Sequence, residues 1–242
     1  AAILVVGDEI LSGRTQDTNS NYIAKELEMM GITTSEIRVI PDEKSIIIYS
    51  VNELRNKNNY LFTTGGIGPT HDDITADSIA EAFGVDLEVN SEAYDILKKY
   101  YKAIGSEFNE VRQRMARIPI GATLIKNPIS AAPGFKIDNV FVFAGIPKIM
   151  KSMLDNSLDF LNKGNLIHTI TVKVDAVEGD IAPVLKSLND ENENIKIGSY
   201  PFFNSDRDFG VNVVIKSLDK EFLTLTEEKF KNYLSKNSFN YN

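Results

Sequence analysis

The chain has 242 residues, with 26 basic against 34 acidic side chains, a formal charge of −8 and a pI near 4.9. No basic field exists to release counterions from nucleic acid or an anionic membrane, no apolar run reaches the roughly 18 residues of a membrane span, and the opening "AAILVVG" is too short and lacks the basic flank of a signal peptide. The absence of cysteine removes disulfides, thiolate metal sites and cysteine nucleophiles and fits a reducing cytoplasm, while 43% hydrophobic and 25% charged residues suit a globular chain of one or two domains.

In chain order, "AILVVG" (2–7) is a continuous apolar run ending in glycine, which predicts a strand. "NSNYIAKELEMMG" (19–31) predicts a helix: Ile23, Leu27 and Met30 hold the helical period, Asn19 or Ser20 is the expected cap, and Gly31 ends it. A strand at 33–40, a helix at 42–56 with acids in its first turn, a strand at 59–66 and a helix at 74–84 follow. Two further helical patterns lie near 91–104 and 107–117, then "ATLIKNP", "AAPGFKI" and "VFVFAG" read as short strands and turns before a helix at 147–161. Such alternation predicts a mostly parallel sheet covered on both faces, a three-layer α/β/α sandwich. The texture changes near 161–167, giving domains of 1–162 and 163–242. The second reads β-α-β-β-α, a small α+β unit, with an Asn-Ser-Asp turn between its last two strands.

The chemistry concentrates where strands end. "YLFTTGGIGPTHDDIT" delivers Gly65, Gly66 and Gly68 at the carboxyl end of a strand and ahead of a helix, the edge at which open α/β sheets bind ligands. Glycines there permit positive φ and close backbone approach, and free N–H groups can take phosphate oxygens; a tight strand-to-helix turn explains the same glycines. No Gly-Lys-Ser/Thr follows, so the stretch is not a Walker A loop. Asp72 and Asp73 fit helix capping, or they fit a divalent cation, since two acids beside a phosphate repel it unless a cation intervenes. Asp8 and Glu9 after the first strand and Asp42 after the second aim further carboxylates at the same edge.

Five stretches in this order, "GDEILSGRTQDTNS", "IPDE", "TTGGIGPTHDDIT", "NPISAAPGF" and "FAGIPKIMKSML", resemble the molybdenum-cofactor-biosynthesis (molybdopterin-binding) domain family over roughly residues 2–162. The branch they resemble most holds the N-terminal half of the competence/damage-inducible protein CinA and the molybdopterin-binding-like domain of FAD synthases, and "EGDIAPVLKSLN…KIGSYPFF" (178–203) resembles the small domain that follows there. The resemblance implies Mg²⁺-dependent (or Mn²⁺- or Co²⁺-dependent) hydrolysis of a nucleotide pyrophosphate such as ADP-ribose or FAD, with a non-catalytic pterin or nucleotide carrier, or a molybdopterin adenylyltransferase, as alternatives. It implies Asp73 and Asp42 as catalytic, Asp72, Asp73 and Asp42 as metal ligands, and a small-molecule nucleotide or pterin as partner. It also implies ligand or phosphate contacts at Gly65, Gly66, Gly68, Thr70, Asp8, Asn19, Ser20, Asn127, Gly134, Gly145, Pro147 and Lys148, a homo-oligomer and a cytoplasmic location. The sequence departs from the family at Ala144, where proline is common, and at Ser130-Ala131, where Gly-Thr is common; it ends before the region where CinA carries a deamidase domain, so that activity is not assigned.

Two histidines stand far apart, His71 in the motif and His168 in a strand, which argues against a histidine zinc site. Arg112, Arg114 and Arg117 in "EVRQRMARIP" read as a solvated helix face beside Glu107 and Glu110, with the alternative that some of them reach the rim and offset its acids.

Overall fold

The computed structural model describes residues 1–205 and 208–242, together with the backbone but not the side chain of Asp208. Two compact units emerge, Ala1–Lys163 and Gly164–Asn242. In the first, β1 (Ala2–Val6), α1 (Asp8–Leu11), α2 (Asn19–Met29), β2 (Glu36–Ile40), α3 (Lys44–Lys57), β3 (Leu61–Thr64) and α4 (Thr75–Phe83) set the alternating rhythm. They are followed by β4 (Leu87–Val89), α5 (Ser91–Ala103), α6 (Glu110–Gln113), β5 (Arg117–Pro119), β6 (Thr123–Ile125), β7 (Gly134–Ile137), β8 (Val140–Phe143) and α7 (Pro147–Asp155).

The main sheet runs β2-β1-β3-β8-β7-β6. β2, β1, β3 and β8 are parallel, and β7 and β6 close the sheet by antiparallel pairing. Every residue of β1, β3 and β8 is buried, as central parallel strands covered on both faces must be. Leu4 and Val6 point to one face and pack with Ile47, Val51, Leu54 and Ile79 of α3 and α4. Ile3 and Val5 point to the other and pack with Ile23 and Leu27 of α2 and Met150, Met153 and Leu154 of α7. These are the three layers that strand–helix alternation demands.

The structure differs from the sequence reading at 107–117. There the helix lasts only through α6, a single 3₁₀ turn follows at Arg114–Ala116, and Arg117–Pro119 becomes a strand paired antiparallel with β4. Pro119 cannot continue a helix and biases Ile118 toward extended backbone, so the chain leaves helical geometry early. α7 likewise ends at Asp155, short of 161.

The second unit pairs β9 (His168–Val174), β10 (Ile195–Ser205) and β11 (Asp208–Ser217) in the antiparallel order β10-β11-β9. α8 (Glu178–Asp190) and α9 (Lys220–Lys236) bury Ile181, Leu185, Phe230 and Leu234 against Val172, Val174, Val211, Val213 and Ile215. Of the turn expected at 204–206, Asn204 and Ser205 belong to β10, while Asp206 lies outside the described residues. Among the described residues no helix is long and apolar enough to cross a membrane.

Candidate functional site

The carboxyl ends of β2, β1, β3 and β8 form one rim, each delivering a loop that the sequence had singled out. Because β7 is antiparallel to β8 and β6 to β7, Gly134 and the segment after Ile125 also reach this edge. At the centre, Gly65 has φ +103°, and a Cβ there would lie 2.1 Å from the carbonyl oxygen of Val6. Its amide donates to Phe143 O at 3.1 Å, which locks the turn between β1 and β8. Gly66 has φ +67°, and a Cβ there would strike Thr75 Oγ1 at 2.1 Å. Only glycine lets the chain pass this close to its neighbours.

Beyond that turn, the amides of Gly66, Ile67 and Gly68 have no acceptor among the described residues. The next amide, Thr70 N, donates to Asp73 Oδ2 at 2.8 Å, and the Thr70 hydroxyl donates to the same oxygen at 2.5 Å. α4 begins only at Thr75, with Ile74 as its cap residue and no side-chain capping bond. Asp72 and Asp73 therefore do not cap the helix. Asp73 closes the loop on itself through Thr70, and Asp72 points outward beside the fully exposed His71, whose Nδ1 is 3.9 Å from an Asp72 oxygen.

Asp42 does not cap its helix either. Glu43 is the cap residue of α3 and makes no side-chain bond, while Asp42 Oδ2 accepts from the amide of Asp8 at 2.9 Å across the rim. Burial pushes the Asp42 carboxyl above its ordinary value; the bond from Asp8 works against this, and the charges of Asp8, Glu9 and Asp72 add to it. Acids from three strand ends thus share one field. Among the described residues, no three acidic or histidine side chains converge into a group able to hold a metal unaided.

Asn19 and Ser20 were the expected caps of α2; the capping group is instead Asp17, whose carboxylate accepts from the amides of Asn19 (2.9 Å) and Ser20 (3.1 Å) and from the Ser20 hydroxyl. Asn19 is buried, and its Nδ2 donates to Gly145 O at 2.7 Å, which ties α2 to the loop after β8. Its Oδ1 is shielded from solvent without a partner, and the residue lines a cleft with Glu9, Asp17, Gly65, Gly145 and Pro147. The uncommitted atom is an acceptor, suited to a ligand's N–H or O–H rather than to a phosphate oxygen. Gly145 passes 3.4 Å from Gly65 Cα measured to an added Cβ, Pro147 opens α7 at its first position, and Lys148 is exposed in the first turn.

Asn127 and Gly134 contribute to the scaffold. Asn127 Nδ2 donates to Ser130 Oγ (2.7 Å) and Ala132 O (2.8 Å), and its Oδ1 accepts from Ile129 N (3.1 Å), so both ends of the amide hold its own loop. A Cβ at Gly134 would lie 2.5 Å from Val142 O, so the glycine permits β7 to approach β8.

For Arg114 and Arg117, sequence reasoning favoured a solvated helix face over a place at the rim. Both line a recess with Ile67, Gly68 and Asp73, and Arg117 forms a two-pronged pair with Asp77 on α4 at 2.7 and 3.2 Å. The spacing of three residues suggested a common helix face, and the only available signal was Pro119, two residues beyond Arg117.

With the rim defined, its relatives can be compared. Residues 2–163 match the family described as "Probable molybdopterin binding domain", and residues 166–242 match the "FAD synthase, middle domain". The chain belongs to the molybdopterin-binding domain family. A protein of Archaeoglobus fulgidus is 36% identical over 199 residues, covering 82% of this chain and 84% of its own. A Pyrococcus furiosus protein is 31% identical over 249 residues, covering 96% and 95%. The crystal structure of CinA from Thermoplasma acidophilum, itself described as of unknown function, superimposes with a TM-score of 0.61 at 30% identity, covering 66% of this chain and 96% of that one.

Proposed function

We propose that the rim of the Ala1–Lys163 unit binds a nucleotide pyrophosphate and hydrolyses it with a divalent cation. The observation that carries this reading is the pairing, at one sheet edge, of three uncommitted glycine-loop amides with acids from three strand ends. The amides suit an anion, the acids alone do not, and a cation between them reconciles the two. The donor set fits Mg²⁺: all its ligands are oxygens, and this ion commonly takes one or two carboxylates, with phosphates and waters completing its shell. Asp42 and Asp72 would hold it, with Asp73 beside them. When bound, the ion supplies charge neutralisation at the phosphates and a more acidic water.

The chain's own residues then have distinct tasks. The amides of Gly66, Ile67 and Gly68 bind phosphate oxygens. Asp73, fixed by Thr70, orients the water that attacks phosphorus as the bridging P–O bond breaks, leaving two monophosphates. Asn19 Oδ1 receives a hydroxyl or N–H of the nucleoside. The CinA-like fold and the match to the middle domain of FAD synthase support ADP-ribose and FAD as the substrates to try.

The test is product release from ADP-ribose and FAD with Mg²⁺, with Mn²⁺ and with chelator. Expected is metal-dependent cleavage to two monophosphates that Asp73→Asn lowers at least about a hundredfold, in the range of losing an oriented proton acceptor. Cleavage that persists in Asp73→Asn would remove that residue from the reaction. A second reading, binding of a pterin or nucleotide without turnover, is favoured by the absence of three converging acids among the described residues, and would be established by tight binding with no cleavage of either substrate.

A further inference from the structure

Outside the acids and glycines of the rim, Arg114 is the side chain whose surroundings call for a ligand. It is half-buried, its Nε is shielded from solvent without a partner, and its side chain makes no hydrogen bond or ion pair among the described residues. Its neighbours in the same segment are both committed. Arg112 stacks 4.5 Å over the Tyr101 ring and donates to Glu107 O, while Arg117 is held by Asp77. A half-buried guanidinium without a counter-charge is costly, all the more notable in a chain with eight more acids than bases.

Its position gives the reason. Arg114 lines a recess together with Ile67, Gly68 and Asp73, so the one uncommitted cation of this segment shares that recess with two residues of the loop that has the uncommitted amides. The Arg117–Asp77 pair and the buried Ile118 and Phe135 brace the recess. We propose that Arg114 is the cationic ligand of a phosphate subsite shared with the Gly66–Gly68 amides, and that it selects ligands carrying two linked phosphates over those carrying one. The amides hold one phosphate, and the guanidinium fork, whose planar N–H groups match phosphate oxygens, reaches the other. This also answers the repulsion from Asp73, which lines the same recess. The inference rests on the rim being an anion site and is independent of whether turnover follows.

The experiment is equilibrium binding of inorganic pyrophosphate, AMP and ADP-ribose, with and without Mg²⁺, to the full chain and to Arg114→Ala, Arg114→Lys and Arg112→Lys. Expected is a loss of at least about tenfold in affinity for pyrophosphate and ADP-ribose in Arg114→Ala, little change for AMP, and partial recovery in Arg114→Lys. Arg112→Lys should bind like the parent chain, and the folded state of each variant is checked by its melting temperature. Where turnover is measurable, the loss should fall on KM more than on kcat. Equal pyrophosphate binding by the parent and Arg114→Ala overturns the proposal, as does failure of the parent to bind pyrophosphate at all. If Arg114→Ala loses binding while neither ADP-ribose nor FAD is cleaved by the parent, the subsite stands and the hydrolase reading falls.

Discussion

Asp42, which the proposed function makes a metal ligand, is held at the fold's expense. Its carboxyl is partly buried and surrounded by Asp8, Glu9 and Asp72, so its folded-state pKa lies above the unfolded one. The native state then binds the extra proton, and stability falls as pH rises through that interval; at neutral pH the destabilisation is fully present. Asp42→Asn keeps an oxygen for the Asp8 amide and removes the charge. It should raise the melting temperature at pH 7 by about 1–3 °C after allowance for solvent screening, lose the gain as pH falls below the carboxylate range, and abolish cleavage. A lower melting temperature at pH 7 would mean that the charge itself holds the rim together. Glycines offer a second contrast at this scale. Gly65 and Gly84 both have positive φ, +103° and +66°, but a Cβ at Gly65 meets Val6 O at 2.1 Å whereas none of the neighbours of Gly84 lies within 4 Å. Gly84→Ala should cost about 1–2 kcal/mol, the strain of the left-handed region alone. Gly65→Ala should cost more, because backbone must move, and comparable denaturation midpoints for the two would show that the rim turn is softer than its geometry implies.

Among the elements, the edge strand β2 adds an ion-pair network to the burial of Ile40. Arg38 bridges Glu36 on its own strand and Glu53 on α3, each at 2.7 Å, and Lys57 adds a bond to Glu53 at 2.6 Å. The Lys57 ammonium and the Arg38 guanidinium together lower the Glu53 pKa to about 2. A depressed folded pKa gives stability that is present above the unfolded value near 4.5 and is lost as pH falls toward 2. Glu53→Gln should therefore lower the melting temperature slightly at pH 7, by about 1–2 °C, with the gap closing between pH 4.5 and 2; a gap that does not change with pH would assign the effect to packing. The same scale shows what the sequence could and could not reveal. Continuous apolar runs marked β1, β3 and β8, and a helical period marked α2 and α4, because central strands and amphipathic helices write their burial into local pattern. The glycine loop and the acids of the rim were legible as candidates because they sit beside those strands. What stayed hidden depends mostly on partners distant in sequence: β5 exists because β4 pairs with it, and Arg114 shares a recess with a loop some 46 residues earlier in the numbering; the cap of α2 was a local ambiguity, settled for Asp17 over Asn19 two residues on.

For the whole molecule, the separate cores are the organising fact. The clusters that hold the main sheet draw only on residues before Lys163, while Val172, Val174, Val213, Ile215, Phe230 and Leu234 form a third that draws only on residues after Gly164. Each unit thus has the apolar interior needed to fold by its own cooperative transition. Phe230 is fully buried on α9 against the three-stranded sheet, and removing its ring leaves a cavity that neighbouring branched side chains cannot fill. Phe230→Ala should destabilise the Gly164–Asn242 unit by about 3–5 kcal/mol. Hydrogen exchange locates the effect: amides of β9, β10 and β11 should exchange faster by about two to three and a half orders of magnitude, as about 1.4 kcal/mol per tenfold requires, while amides of β1, β3 and β8 keep their protection. Pyrophosphate binding at the rim should be unchanged, since every residue assigned to it lies in Ala1–Lys163. A uniform rise in exchange across both sheets would mean that the units unfold as one, and the small unit would then have to be counted among the supports of the site.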